Sequence, residues 1–158
     1  MDSSLFRKAW GNFATGAALV TAIEKDGTVH GMTANGIASI SLDPMLVMVC
    51  VSHKANTLPI IIESGRYGIN ILSEHQESIG SFYAFSTTES NHEPGSTFHL
   101  TGSGTAFLDG SLSSMDCNVV RQYDEGDHTI FIGEVDFIEV SPGRPLIFFD
   151  SKWDSLSN

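Results

Sequence analysis

The sequence predicts a mainly β protein, a closed or split β-barrel with two or three short helices. Roughly seven or eight short apolar segments follow one another at a spacing that suits strands, and turn residues separate them. Fifteen glycines in 158 residues and few long helical patterns favour a turn-rich fold. The length suits one domain over residues 1–158. A barrel with flanking helices is the architecture that fits these features.

An amphipathic helix is predicted at the start of the chain. Leu5, Phe6, Trp10 and Phe13 recur at helical spacing, and Gly16 is expected to end the helix. The three aromatic side chains are most simply interpreted as core residues, because the apolar face of a helix usually packs inward.

Strand patterns follow this helix. An Asp-Gly pair at residues 26–27 predicts a hairpin turn between the first two of them. The pattern at residues 45–51 contains no polar side chain, which predicts a strand buried on both faces and a buried Cys50. The strands predicted in this half lie at residues 17–23, 29–34 and 45–51.

The second half predicts two helices and five further strands. Asn56 or Thr57 can cap a helix that Gly65 ends. A second helix is predicted at residues 74–84, and the polar residues 86–96 are interpreted as a surface or lid loop. The strands are predicted at residues 66–72, 104–108, 117–123, 129–140 and 146–149.

Composition excludes several classes of protein. Eight Lys and Arg against 19 Asp and Glu give a net charge of -11, which argues against nucleic acid and anionic membranes as partners. The chain has no signal-peptide pattern and no apolar run of roughly 20 residues. Two cysteines outside any zinc or disulfide spacing favour the cytoplasm. The six histidines form no metal-binding motif, so no metal site is expected.

The first candidate site is the segment 32–44, where hydroxyl groups and one amide lie among small residues. Small side chains let a flat ring approach the backbone closely, and backbone polar groups can then hydrogen-bond the edge of an isoalloxazine. A polar connection between strands with ordinary turn chemistry explains the same residues. The sequence leaves both interpretations open.

The second candidate site is the segment 52–57, which follows an apolar strand and opens a helix. Helix N-terminal N–H groups attract phosphate, Lys54 adds a positive charge, and Ser52 and Thr57 add hydroxyl donors. The alternative is a capped helix with an exposed lysine.

The third candidate site is Gly126-Asp127-His128, directly before a strand. A histidine at the mouth of a strand can hydrogen-bond a nicotinamide or a phosphate, and Asp127 can fix its tautomer or raise its pKa. A hairpin turn with a solvent-facing histidine is the alternative.

Three segments together resemble one protein family. They are FRKAWGNFATGAALVTA at 6–22, GMTANGIASISLDPMLVMVCVS at 31–52 and GDHTIFIGEV at 126–135. In this order they resemble the flavin reductase-like, FMN-binding split-barrel family, most of all the short-chain reductase components of two-component monooxygenases. The resemblance implies a six-stranded antiparallel Greek-key barrel with flanking helices. It also implies a homodimer, with flavin at the barrel rim near the subunit interface.

The resemblance also implies roles for the matching positions. The residues expected to contact the isoalloxazine and ribityl chain are Thr33, Ala34, Asn35, Ser39 and Ser41. The residues expected to surround the phosphate are Ser52, Lys54, Asn56 and Thr57. Asp127 and His128 are expected near the nicotinamide of NADH or NADPH, with His128 as the catalytic candidate. Trp153 is expected to supply an aromatic ring against the flavin.

The function implied by the resemblance is an NAD(P)H-dependent flavin reductase. Hydride would pass from the nicotinamide to FMN or FAD, and the reduced flavin would supply a partner monooxygenase. The alternatives are a non-catalytic FMN-binding electron carrier similar to flavoredoxins, and a split-barrel relative that binds haem or deazaflavin. The Gly-Asp-His segment favours the reductase, because an electron carrier needs no nicotinamide site.

Overall fold

The computed structural model describes residues 2–85 and 95–157. The described helices are α1 (Ser3–Gly11), α2 (Thr57–Ser64) and α3 (Glu77–Phe85). The described strands are β1 (Thr15–Gly16), β2 (Ala18–Ile23), β3 (Val29–Ala34), β4 (Ile37–Leu42), β5 (Met45–Ser52), β6 (Arg66–Ile71), β7 (Phe98–Leu100), β8 (Ala106–Leu108), β9 (Ser113–Glu125), β10 (His128–Val140), β11 (Leu146–Phe149) and β12 (Lys152–Ser155). The loop predicted at 86–96 falls, apart from its last two residues, outside the described part. Among the described helices, none is long and apolar enough to cross a membrane.

Seven strands form one antiparallel sheet in the order β3-β2-β6-β9-β10-β5-β4. Its two edge strands, β3 and β4, are joined only by Asn35 and Gly36, so the sheet must curl until its edges meet at that end. β5 and β6 follow one another in the chain but lie on opposite sides of the β9–β10 pair, as a Greek-key crossover requires. The predicted mainly β, antiparallel split barrel is confirmed.

A second sheet has the order β1-β11-β12 and carries a tight hairpin. The two residues between β11 and β12, Asp150 and Ser151, have φ angles of +46° and +60°. Two central residues with positive φ form a type I′ turn, which usually contains glycine. Aspartate tolerates this conformation better than most residues. Because the turn lacks glycine, the local pattern did not predict β12.

Two apolar clusters fill the interior. The larger lies inside the barrel, where Tyr67 and Phe131 are fully buried beside valines of β5 and isoleucines of α2. The smaller lies between β2, α3 and β11, around Leu72, Tyr83 and Leu146. The second cluster fixes α3 and the β11–β12 hairpin to the barrel, next to the site described below.

Helix α1 differs from its prediction in both length and packing. It ends at Gly11 rather than Gly16, because Thr15–Gly16 pair with β11 instead. The prediction that the aromatic rings of α1 and Phe13 belong to the core is wrong. Leu5, Phe6, Trp10 and Phe13 are 59–64% exposed, and the helix has no buried residue.

Strand β5 is not buried on both faces. Val47, Val49 and Val51 point into the barrel and are buried, whereas Leu46, Met48 and Cys50 alternate with them on the outer face and are only partly buried. β5 lies beside the edge strand β4 in an antiparallel sheet, so only its inner face is covered completely. Cys50 belongs to the outer set and is partly exposed, which also corrects the prediction of a buried Cys50.

Candidate functional site

A cavity of about 430 Å³ lies between the end of β3, helix α3 and the β11–β12 hairpin. Three of the predicted site residues, Thr33, Asn35 and Trp153, line it together. The remaining lining residues are Ala17, Ala84, Phe148 and Ser151. The volume falls in the range of small-molecule pockets, roughly 300–1,000 Å³.

Trp153 forms a fixed aromatic wall of this cavity. Its indole Nε1 donates to Ser81 Oγ at 2.7 Å, and its ring meets that of Phe148 edge-on at 5.0 Å. A Cβ at Gly80 would lie 3.2 Å from the Trp153 ring, so glycine at this position lets the ring pack against α3. The Trp153 ring is therefore fixed by a hydrogen bond at Nε1 and by contact with Phe148, and a fixed aromatic ring suits stacking of a flat ligand ring.

The other β3 residues divide between the cavity and the core. Thr33 is half-buried and its Oγ1 donates to Gly80 O at 2.7 Å, which leaves its lone pairs free to accept. Asn35 is exposed in the turn after β3. Ala34 is 7% exposed and packs into the barrel core rather than lining the cavity.

Ser39 and Ser41 lie apart from this cavity. They line a neighbouring groove of about 390 Å³ between β4, β5 and β10, whose other lining residues are apolar. The groove begins at Ile37, two residues after Asn35. The structure therefore does not place Ser39 and Ser41 with Thr33 and Trp153.

Several polar side chains in and after the loop between β5 and α2 lack a hydrogen-bond partner among the described residues. Ser52 Oγ accepts from Lys54 N at 3.3 Å, and the Lys54 side chain is exposed. Asn56 occupies the N-cap position, but its side chain makes no capping hydrogen bond. Thr57 is only 1% exposed, and its buried Oγ1 has no hydrogen-bond partner among the described residues.

The helix is not capped by the Asn56 side chain, and a phosphate site at this loop stays a prediction. A buried hydroxyl without a partner costs about 1–3 kcal/mol, and native proteins satisfy most such groups. A phosphate oxygen at the start of α2 would accept from free helix N–H groups. It would accept from the Thr57 hydroxyl after a small movement of the loop, because Thr57 Oγ1 is buried in this structure. The Asn56 amide and the Lys54 ammonium are available beside it.

His128 is the first residue of β10 and lies opposite Ser52 of β5. Its Nδ1 is 2.7 Å from Asp127 Oδ1, and His53 N donates to Asp127 O at 2.9 Å. The hydrogen bond from the His128 ring lowers the pKa of Asp127. An ionised Asp127 keeps the proton on Nδ1, so Nε2 of neutral His128 is left to accept a hydrogen bond.

The three predicted segments meet along the rim of the barrel. Gly36 O, next to the cavity, accepts from Cys50 N at 2.8 Å. Ser52 follows about 7 Å further along β5, since an antiparallel strand rises roughly 3.4 Å per residue. A ligand with a flat ring at one end and a phosphate at the other would reach from the cavity to α2, with His128 alongside.

Four cavity residues were not predicted from the sequence. Ala84 and Ser151 belong to no motif, Ala17 lies in the segment 6–22 but received no role, and Phe148 was predicted only as part of a strand. Ser151 has a positive φ because it lies in the β11–β12 turn. The sequence could have indicated this residue only if that turn had been recognised. Across residues 2–85 and 95–157, no three His, Cys, Asp or Glu side chains come together as metal ligands.

Comparisons with known proteins agree with this geometry. The family model described as "Flavin reductase like domain" matches residues 10–157. An NADH-dependent flavin reductase from a Rhodococcus species is 40% identical over 152 residues, covering 95% of this chain and 84% of the relative. The structure of flavin reductase PheA2 in its native state matches with a TM-score of 0.90 at 40% identity, covering 100% of both chains.

A third comparison concerns a named monooxygenase system. The styrene monooxygenase flavin reductase of Pseudomonas putida S12 matches with a TM-score of 0.87 at 33% identity, covering 97% of this chain and 98% of that one. The matches extend over the cavity, the β5–α2 loop and the His128 turn alike. This chain belongs to the flavin reductase like domain family.

Proposed function

We propose that this chain is a flavin reductase that uses NADH to reduce FMN or FAD and passes the reduced flavin to a partner monooxygenase. The observation that carries the proposal is the pairing of Ser52 with His128, which sets the histidine proposed to face the nicotinamide beside the loop proposed to hold the phosphate. The names of the relatives support the reaction, since they are NADH-dependent flavin reductases and monooxygenase reductases.

Each part of the rim has its own task in this proposal. Trp153 and Phe148 pack against the flavin ring, while Thr33 and Asn35 form hydrogen bonds with the polar edge of that ring. The phosphate is held by Ser52, Lys54, Asn56 and Thr57. The roles of Ala34, Ser39 and Ser41 stay predictions, because none of the three lines this cavity.

His128 orients the nicotinamide ring. Asp127 holds the imidazole from the Nδ1 side, so Nε2 accepts a hydrogen bond from the carboxamide N–H. When bound, the flavin supplies the acceptor for the hydride, which moves directly from the nicotinamide. The chain contributes positioning rather than proton transfer at this step.

The charges around His128 favour NADH over NADPH. The tip of the β9–β10 hairpin carries three carboxylates, Asp124, Glu125 and Asp127, of which Asp124 is held by Thr129 Oγ1 at 2.7 Å. The additional 2′-phosphate of NADPH would enter a negative field at this tip. NADPH therefore reacts more slowly than NADH.

The chain also forms a homodimer in this proposal. It leaves several large apolar side chains of α1, β4, β5 and β10 in solvent, and extensive patches of this kind mark interaction surfaces. A location in the cytoplasm stays a prediction, based on two cysteines that are both free thiols.

The test begins with the absorbance of the purified protein. Oxidation of NADH and NADPH is then followed with FMN, FAD and riboflavin added in turn. We expect NADH oxidation that depends on added flavin, with many turnovers and with NADPH slower. Tight stoichiometric flavin without NADH oxidation would instead assign an electron carrier, and a Soret band would assign a haem protein.

A further inference from the structure

Helix α1 and Phe13, which follows it, present an apolar face that the described part of the chain leaves mostly exposed. Leu5, Phe6, Trp10 and Phe13 are each about three-fifths exposed. The rings of Trp10 and Phe13 contact each other at 5.4 Å, so they form one continuous surface. A helix that buries no residue in its own subunit gains little from this face unless another surface covers it.

A second apolar surface begins at Ile37, two residues after Asn35 of the cavity. The groove between β4, β5 and β10 is lined almost entirely by apolar side chains. Ile40, Leu42, Met45 and Ile138 on or beside it are 44–88% exposed. We name this surface the β4–β5 groove.

Both surfaces border the proposed flavin cavity. Asp150 N donates to Gly11 O at 3.0 Å, which ties the end of α1 to the hairpin whose Ser151 lines the cavity. Asn35 lines the cavity, and Ile37, two residues later, begins the groove. Any protein that covers both surfaces also approaches the cavity.

We propose that α1 of one copy lies in the β4–β5 groove of a second copy, and that the contact is reciprocal. Each dimer then contains two identical α1–groove contacts, as two-fold symmetry requires, and both flavin cavities lie at the edge of these contacts. The inference rests on the homodimer proposed above and names its surfaces.

The area matches what a stable dimer needs. Each aromatic side chain has roughly 150–250 Å² of surface, so the exposed face of α1 offers about 400 Å². The β4–β5 groove offers a comparable area, and each copy contributes both surfaces. The resulting total of about 800 Å² per copy equals a standard protein interface.

Charge also favours a second copy as the occupant. Helix α1 carries Arg7 and Lys8 and no acidic residue, within a chain of net charge -11. Asp43, at the turn of the β4–β5 hairpin, and Glu134 of β10, opposite Leu46, are exposed beside the groove. The basic helix is therefore complementary to the groove of its own chain, which favours association in this register.

Three variants test the contact by sedimentation velocity. Phe6→Asp places a charge in the α1 face, Leu42→Asp places one in the groove, and Ile62→Asp is the control on α2, at a side chain that is 52% exposed. We expect wild type and Ile62→Asp to be dimers. The other two variants should raise the dimer dissociation constant at least tenfold. All three substituted side chains are exposed, so melting curves should confirm that each variant folds.

Mixing the two damaged variants gives the sharper result. A heterodimer of Phe6→Asp with Leu42→Asp keeps one of its two contacts intact, because the undamaged helix of one variant meets the undamaged groove of the other. Native mass spectrometry of the mixture should therefore show heterodimers in excess of both homodimers. If α1 packed against α1 and groove against groove, every pairing would retain a damaged contact and no excess would form.

Several outcomes would overturn the inference. Dimers of unchanged affinity in both variants would place the interface elsewhere, and the absence of heterodimer excess would exclude the reciprocal contact. A wild-type monomer whose Phe6→Asp variant loses binding to the monooxygenase would assign α1 to that partner instead. NADH oxidation with added flavin, measured on wild type, reports on the reductase separately from all of these outcomes.

Discussion

Asn70 in β6 and Thr57 at the start of α2 are both at most 1% exposed, yet their side-chain polar atoms differ in their hydrogen bonds. Asn70 Nδ2 donates to Leu19 O at 3.0 Å and Thr21 Oγ1 at 3.3 Å. Asn70 Oδ1 accepts from Leu108 N and Ser114 Oγ, both at 2.9 Å. Thr57 Oγ1 has no partner among the described residues.

A similar contrast separates Asp116 from the β5–α2 loop. Asp116, opposite Gly68 of β6, is fully buried and bound by Arg66, Thr101 and Ser103. Lys54 and the Asn56 side chain, next to Thr57, are exposed and make no capping bond. In the β6–β9 region the polar atoms of Asn70 and Asp116 are thus satisfied by the chain itself, although Arg66 Nε and Tyr67 Oη have no partner among the described residues. The β5–α2 rim is the region proposed to hold a ligand. Substitutions in the first should change stability, and those in the second should change binding or rate.

The largest effect is expected at Asp116. Asp116→Ala leaves the Arg66 guanidinium without its buried partner, which costs about 3–5 kcal/mol of unfolding free energy. Asp136→Ala is the matched control, since Asp136 binds the same guanidinium nitrogen at 2.7 Å but is half exposed. Its loss costs less than about 1 kcal/mol. Urea titrations of both variants measure the difference, and equal losses would contradict the contrast.

On the rim, His128→Ala should slow catalysis without unfolding the protein. A misoriented nicotinamide can reduce kcat/KM for NADH on the order of 100-fold. Flavin affinity and the melting temperature should stay close to wild type, because the His128 side chain is 44% exposed. His75→Ala, at an 88% exposed histidine, is the control. Unchanged kcat/KM for both nucleotides would remove His128 from the site and favour the electron carrier.

Lys54→Ala should weaken FMN but not riboflavin. A hydrogen bond to a charged group contributes about 1.5–3 kcal/mol, so FMN affinity should fall roughly tenfold or more. Riboflavin has no phosphate and should bind as before. Lys25→Ala, which removes an exposed lysine paired with Glu63, is the control. An equal loss for both flavins would mean that Lys54 supports the fold instead.

Thr57→Val separates binding from stability at one position. Valine has nearly the same shape and removes the unpartnered hydroxyl, so stability should rise by about 1 kcal/mol. FMN affinity should fall about fivefold, since one hydrogen bond of about 1 kcal/mol is lost. Isothermal titration and thermal melting measure the two effects. A more stable variant with unchanged FMN affinity would place the phosphate elsewhere.

The smallest effect is expected at His99, a half-exposed histidine that pairs with two carboxylates. His99 Nδ1 is 2.7 Å from Asp109 and Nε2 is 3.3 Å from Glu139, and the hydrogen bond to Asp109 raises the pKa of His99. The interactions that raise this pKa contribute fully to the free energy of unfolding below a pH of about 6.5. Their contribution is lost as the pH rises through the folded-state pKa of His99. Both carboxylates are about half exposed, so the contribution is less than about 1 kcal/mol.

Thermal melting checks this pH dependence. The melting temperature of wild type should exceed that of His99→Gln by a few degrees at pH 6, and the difference should shrink at pH 8.5. The pKa of Asp109 is lowered by hydrogen bonds from Thr97 and His99, so its own contribution is retained throughout this range. A difference that grows with pH would show that His99 is held in its neutral form.

Much of the barrel was predictable because its signals are local. Short apolar segments and the Asp-Gly turn predicted β2 and β3, and the glycine after α2 has the left-handed φ of +68° that ends a helix. The exposed helix face was not predictable, because periodicity reveals that a helix has an apolar face but not which surface covers it. The strand β12 was missed since Asp150-Ser151 turns the chain without glycine.

The sequence by itself determined which residue types were present for chemistry: the polar β5–α2 loop, the Asp127-His128 pair and the Trp153 ring. Only the tertiary structure decided which of them meet. The pairing of β5 with β10 sets His128 opposite Ser52, whereas the curl of the sheet places Thr33 beside Trp153 and carries Ser39 and Ser41 away. The physical reason is that strand register and sheet curvature follow from packing across the whole barrel, which no local pattern encodes.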